Sequence, residues 1–87
     1  DYDWVMRRPE LAACFRQLPL AYTWDDHDFL GNNTQGGKES NDTARRAASR
    51  AYRQYMPHYP LSLDDGSIAQ EFAVGRVLFL LTDTRYH

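Results

Sequence analysis

The sequence has a single cysteine, Cys14, and no long apolar run. One cysteine excludes an internal disulfide framework, and the apolar stretches are far shorter than the roughly 20 residues that span a bilayer. Ten Lys and Arg residues against 12 Asp and Glu give a net charge of −2, which provides no general attraction to nucleic acid or to an anionic membrane. With 87 residues, the chain is long enough for one small domain at most.

Both ends of the sequence read as internal. The chain begins at Asp1 without a Met, a basic n-region or an apolar h-region, so no signal peptide is recognisable. It ends at His87, soon after a strongly apolar segment. We therefore expect residues 1–87 to be an internal piece of a single longer domain, incomplete at both ends.

Two segments show helical spacing of apolar residues. The first begins at Pro9, carries Cys14 on an apolar face that we expect to be buried, and stops at Pro19. The second runs from Ala44 until Pro57 ends it. Residues 29–40, which are rich in glycine and asparagine, read as a loop.

Three further segments read as strands. Leu20–Trp24 is short and apolar, and residues 68–74 alternate in the manner of a half-exposed strand. Gly75-Arg76 has glycine first, as a type II′ hairpin turn prefers. The continuous apolar run Val77–Leu81 predicts a strand covered on both faces. The order of elements indicates an α/β layered domain, in which ligands gather beyond the carboxyl ends of the strands.

The run Trp24-Asp25-Asp26-His27-Asp28 follows one such predicted strand. Carboxylates suit Ca²⁺, Mg²⁺ and Mn²⁺, and imidazole extends the choice to Fe and Zn. Acidic runs with one histidine are more often solvated loops, so spacing alone favours that interpretation. Because successive residues of a strand point to opposite faces, Asp25 and Asp26 can share a metal only if the chain turns there. Asp26 is the better ligand candidate, with His27 as phosphate contact or general acid and Asp25 and Asp28 as supporting groups.

Other polar residues have simpler structural interpretations. Asp83, after the last strand, is interpreted as a loop-capping residue in preference to a ligand. Asn32 and Asn33 are typical turn formers, although their amides could also face an anion. His58 and His87 are isolated and carry no ligand spacing. The arginines of the second helix read as a solvated face or as ion-pair partners.

The acidic run, followed by Asn32-Asn33, resembles the signature block of the PhoD-like alkaline phosphatases, a branch of the calcineurin-like metallophosphoesterases. The resemblance extends in order along most of the chain. The supporting segments are Pro9-Glu10, residues 51–57, residues 72–76 and residues 80–85. Position 28 is more often glutamate in that family, and Asp28 keeps the charge with a shorter reach.

The resemblance implies a fragment of a four-layer α/β/β/α metallophosphatase sandwich. It implies hydrolysis of phosphate mono- or diesters at a centre of calcium and iron, with Asp26 and His27 as catalytic residues and Asp26 and Asp25 at the metal. Asp28, Asn32 and Asn33 are then candidates for support or phosphate contact. The remaining ligands would lie in the rest of the domain, so that the 87 residues alone would be inactive, and export from the cytoplasm is implied as well.

Two other classes of function were considered. A non-catalytic metallophosphatase-like domain for binding or assembly is the main alternative, because the family's upstream and downstream metal motifs are not in this sequence. A nucleic-acid binder using the arginine-bearing helix is disfavoured by the negative net charge. The expected partners are therefore a phosphate ester and the remainder of the domain, with no nucleic acid and no membrane span.

Overall fold

A computed structural model of the protein describes residues 2–36 and 42–87. Over these residues it combines helices with a two-stranded antiparallel sheet, which is a mixed α/β arrangement. The elements in chain order are α1 (Tyr2–Met6), α2 (Pro9–Gln17), α3 (Asp26–Phe29), α4 (Asp42–Tyr55), β1 (Gln70–Val74) and β2 (Val77–Leu81).

Helices α2 and α4 confirm the two helical predictions. Pro9 occupies the first turn of α2, where its missing N–H has no intrahelical role, and the helix ends before Pro19. Helix α4 ends before Pro57 and buries Ser49 and Tyr52. The predicted loop is shorter at its start, because Phe29 is the last residue of α3; residues 37–40 of that prediction lie outside the described residues.

The β1–β2 hairpin also follows its prediction. Val74 pairs with Val77, which leaves Gly75 and Arg76 as a two-residue turn. Gly75 has a φ of 59°, the left-handed region that glycine enters without steric cost. The sequence had predicted a hairpin turn with Gly75 at its first position.

The predicted strand at Leu20–Trp24 is wrong. These residues are non-helical but belong to no sheet. The carbonyl oxygen of Tyr22 accepts hydrogen bonds from the Tyr52 hydroxyl and from Gln70 Nε2, the latter at 3.1 Å. Side chains from α4 and β1 therefore satisfy this backbone group in place of a neighbouring strand.

Two predicted burials are also wrong within the described residues. In β2, Val77, Leu78, Phe79 and Leu80 are 56%, 61%, 42% and 65% exposed, since no helix of the described chain packs on the sheet. Cys14 of α2 is exposed as well. An apolar run indicates that a strand is suited to burial on both faces, and no described element covers the faces of β2.

The core lies between α3, α4 and the segments on either side of the hairpin. Six buried residues form it, and they are Trp24, Phe29, Tyr52, Met56, Ile68 and Tyr86. Trp24 stacks obliquely on Phe29, with ring centroids 4.8 Å apart, and meets Tyr52 edge-on at 5.5 Å. These ring contacts fix the acidic run against the core at its first residue and at the residue that follows it.

Candidate functional site

Asp25 and Asp28 build the start of α3. Asp25 is the N-cap residue, and its Oδ1 accepts the backbone N–H of Asp28 at 3.0 Å. Asp28 Oδ2 in turn accepts the N–H of Asp25 at 3.3 Å. This reciprocal pair is a capping box, which satisfies two N–H groups that a helix start leaves open. The chain therefore turns at the acidic run, as the metal-site hypothesis required.

Asp26 is the first residue of α3, and its carboxylate lies against the loop that follows the helix. Its Oδ2 accepts the backbone N–H of Asn33 at 2.6 Å, and its Oδ1 accepts the N–H of His27 at 3.1 Å. The hydrogen bond from Asn33 lowers the pKa of Asp26, and the positive charge of Arg85 acts in the same direction. The partly exposed Asp26 is therefore held as a carboxylate.

The two asparagines take part differently. Asn33 has a φ of 57°, a left-handed conformation that asparagine tolerates better than most residues. That conformation aims its backbone N–H at Asp26, so the backbone is the group that the structure brings to the carboxylate. Asn32 is exposed in the same turn. Both positions agree with their interpretation as turn formers.

His27 follows Asp26 in α3. Its exposed ring helps to line a cleft of about 320 Å³ between α1, α3 and α4. The lining residues are Tyr2, Val5, His27, Asp28, Ala51 and Tyr55. His27 and Asp28 are thus brought together on the cleft, whereas Asp26 is not among its lining residues.

Two tyrosines, Tyr2 and Tyr22, lie near Asp28 at the cleft. The Tyr22 hydroxyl donates to Asp28 Oδ2, and burial together with this carboxylate raises the pKa of Tyr22. Burial also raises the pKa of Tyr2 to about 12, with the charge of Asp28 adding to the effect. Both hydroxyls therefore remain protonated at neutral and moderately alkaline pH.

Asp83 joins the acidic run to the end of β2. Its Oδ1 accepts the Trp24 indole Nε1–H at 2.9 Å and the backbone N–H groups of Arg85 and Tyr86 at 3.0 and 3.1 Å. Its Oδ2 accepts the N–H of Ile68 at 2.9 Å. Asp83 is thus a loop-capping residue, as predicted, and it also holds the tryptophan of the run.

Arg85 is a neighbour of the site that the sequence placed at a strand end without giving it a role. Its Nη1 reaches the Thr34 carbonyl oxygen at 3.5 Å, and its own carbonyl accepts the Gly36 N–H at 2.7 Å. Its position two residues after Asp83 at a strand end was the available signal. The spacing alone could not reveal the pairing with residues 34–36, which are about fifty positions earlier.

The remaining histidines have structural partners. His58 Nδ1 lies 2.8 Å from the Tyr59 carbonyl oxygen, and its ring stacks on Tyr52. His87 Nε2 lies 2.8 Å from Asp65 Oδ2. Arginines of α4 form ion pairs with Asp42, as one of their predicted roles required.

A metal ion would find one suitable donor here. Within residues 2–36 and 42–87, no three His, Cys, Asp or Glu side chains converge to hold a metal ion. Asp26 nevertheless has the properties of a ligand, because it is ionised, partly exposed and has accepted one N–H on each oxygen, which leaves lone pairs free. The described residues therefore fit one donor of a metal site, and they do not make a complete one.

Comparison with known proteins identifies the family of the chain. The family model described as PhoD-like phosphatase matches residues 1–87. The chain therefore belongs to the PhoD-like phosphatase family, and this membership supports a phosphatase-type hydrolytic function. No curated protein and no solved structure matches the chain. Among the described residues, no helix combines the length and apolar character needed to cross a membrane.

Proposed function

We propose that this chain contributes to the metal-dependent hydrolysis of phosphate mono- or diesters as part of a longer PhoD-like domain. The observation that carries the proposal is the Asp26 carboxylate, which the backbone N–H groups of His27 and Asn33 hold at the start of α3 with lone pairs left for a metal. The proposed domain is a four-layer α/β/β/α sandwich. The exposed apolar side chains of β2 support it, because they suit a strand that packs inside such layers.

In this proposal, Asp26 is a metal ligand and Asp25 is a second candidate. Asp25 also caps α3 through its Oδ1. Calcium and iron are proposed from the family resemblance. A bound metal would polarise a phosphoryl oxygen and lower the pKa of its bound water.

His27 is proposed to face the phosphate group, either as a hydrogen-bond donor or as a general acid. Its ring is exposed at the cleft, where an incoming ester could reach it. Asp28, through its bonds to the Asp25 N–H and the Tyr22 hydroxyl, would keep the run in place, and the turn of Asn32 and Asn33 would hold Asp26. The other partner is the remainder of the domain, and export follows from the resemblance as a further part of the proposal.

The test is hydrolysis of a chromogenic phosphate ester by the protein that carries this chain, supplied with Ca²⁺ and Fe. We expect Asp26→Asn and His27→Ala each to reduce kcat/KM, by a factor on the order of 10²–10³ for the loss of a preorganised group at the reacting centre. The matched control is Asp64→Asn, which removes an exposed carboxylate far along the chain. Unchanged turnover in both site variants would contradict the assignment of the site.

A non-catalytic role in binding or assembly is the second candidate. Its support is that residues 2–36 and 42–87 bring no three His, Cys, Asp or Glu side chains together to hold a metal ion. The same assay separates the two candidates. A folded, metal-supplied protein with no turnover of mono- or diesters would favour the binding role.

A further inference from the structure

The Asp83 carboxylate accepts hydrogen bonds from several segments of the chain. Four N–H groups converge on its two oxygens, from the Trp24 indole and from the backbone of Ile68, Arg85 and Tyr86. Two of the donor residues, Ile68 and Tyr86, are 0% and 4% exposed. Hydrogen bonds to a charged acceptor are stronger than neutral ones, so this carboxylate ties together three segments that are distant in sequence.

We propose that Asp83 is a positioning residue for the Asp26–His27 site. It does not touch the reacting groups, and it acts on them by two routes, both of which begin at its Oδ1. The inference rests on the proposed function for its effect on turnover. Its structural part, which couples Asp83 to the surroundings of Asp26, can be tested without any activity.

The first route passes through Trp24. The hydrogen bond to Asp83 fixes the indole in the core at 4% exposure. The Trp24 ring packs against Phe29 with centroids 4.8 Å apart. Since α3 is a single turn from Asp26 to Phe29, holding both flanking aromatic rings sets the orientation of the whole turn.

The second route passes through the backbone after Asp83. By accepting the N–H groups of Arg85 and Tyr86, Asp83 directs the Arg85 carbonyl oxygen at the Gly36 N–H, 2.7 Å away. The two backbones are so close that a Cβ on Gly36 would lie 1.8 Å from the backbone oxygen of Tyr86. This contact anchors Gly36, three residues after Asn33, whose backbone N–H bonds Asp26.

The donor set explains why a carboxylate is needed at position 83. All four partners are N–H donors, and a carboxylate offers only acceptors. An asparagine would keep the shape but would direct its NH₂ group either at the single donor of Oδ2 or at the three donors of Oδ1. Because hydrogen bonds to a charged acceptor are stronger than neutral ones, Asp83→Asn weakens the bonds of both routes even where the oxygen at Oδ1 is kept, with the smallest change in volume.

The experiment compares Asp83→Asn with Asp64→Asn in the protein that carries this chain. The first readout is the amide NMR shift of Asn33 together with the indole Nε1–H shift of Trp24. The second is the separation of kcat from KM for a chromogenic phosphate ester, with concentrations corrected for the folded fraction by circular dichroism. If Asp83→Asn does not fold, Trp24→Phe takes its place; it removes the indole donor together with part of the buried ring, and the Asn33 amide is then the resonance that is followed.

We expect the Asp83 variant to shift both the Trp24 and the Asn33 resonances, and to lower kcat by roughly 10–100-fold, the scale seen for groups that orient ligands, with KM unchanged. Asp64→Asn should change neither. A shifted Trp24 resonance with an unmoved Asn33 amide and unchanged kcat per folded molecule would overturn the inference. If the unaltered protein has no turnover, the proposed function fails, and the Asn33 amide alone decides whether Asp83 positions the site.

Discussion

Removal of the Tyr52 hydroxyl should lower the free energy of unfolding, although it takes away a single oxygen atom. Tyr52 is 0% exposed. Its hydroxyl donates to the Tyr22 carbonyl and accepts from Gln70 Nε2 at 2.8 Å. Tyr52→Phe keeps the ring and its contacts with Trp24 and removes only this hydroxyl.

The magnitude follows from what the substitution leaves behind. The Tyr22 carbonyl keeps its second bond from Gln70 at 3.1 Å, so it is not orphaned. One N–H of Gln70, a residue 1% exposed, loses its acceptor in a site that water does not reach. An unsatisfied buried donor costs about 1–3 kcal/mol, and we expect the free energy of unfolding to fall by that amount.

The assay is urea unfolding followed by circular dichroism. Tyr55→Phe on the same helix is the matched control, because Tyr55 is 43% exposed and changes at such positions are usually within about 0.5 kcal/mol. A double variant with Gln70→Met should cost less than the sum of the two single changes, because the orphaned N–H is then absent. Equal effects at Tyr52 and Tyr55, or full additivity with Gln70, would refute the reasoning.

Two further predictions concern stability. Gly36→Ala should lower the free energy of unfolding by about 1–3 kcal/mol, the usual cost of overpacking, because the added Cβ would meet the backbone oxygen of Tyr86. An unchanged midpoint in urea titrations would contradict this close approach. The N–H of Ser67, with help from His87, lowers the pKa of Asp65 from 3.8 to about 2. Its contribution to stability is therefore present above pH 3.8 and is lost as the pH falls toward 2. The difference in thermal midpoint between the protein and Asp65→Asn should shrink across that window, and a constant difference would show that Asp65 is not the cause.

Features that depend on neighbouring residues were predictable from the sequence. Helices α2 and α4 follow from the spacing of their apolar residues and from the prolines that bound them. The hairpin follows from alternation and from Gly75. The chain turn within the acidic run could also have been recognised, since Asp25 and Asp28 have the spacing of a capping box.

Features that depend on distant partners were not predictable. The segment before the acidic run was predicted to be a strand from its apolar residues. It is not one, because the carbonyl of Tyr22 is satisfied by side chains 30 and 48 positions later. The bond between Trp24 and Asp83 spans 59 positions, and no local pattern encodes it. The exposure of β2 likewise depends on which element packs against it, which the apolar run does not specify.

The central claim is that this chain serves a metal-dependent phosphatase, and metal removal tests it most directly. The measurement is the hydrolysis of a chromogenic phosphate ester by the unaltered protein that carries this chain, before chelation, after chelation, and after Ca²⁺ and Fe are returned. We predict that turnover is lost with the metals and restored with them, because in the proposed function a bound metal would lower the pKa of the attacking water. Turnover that persists unchanged in the fully chelated protein would contradict the claim.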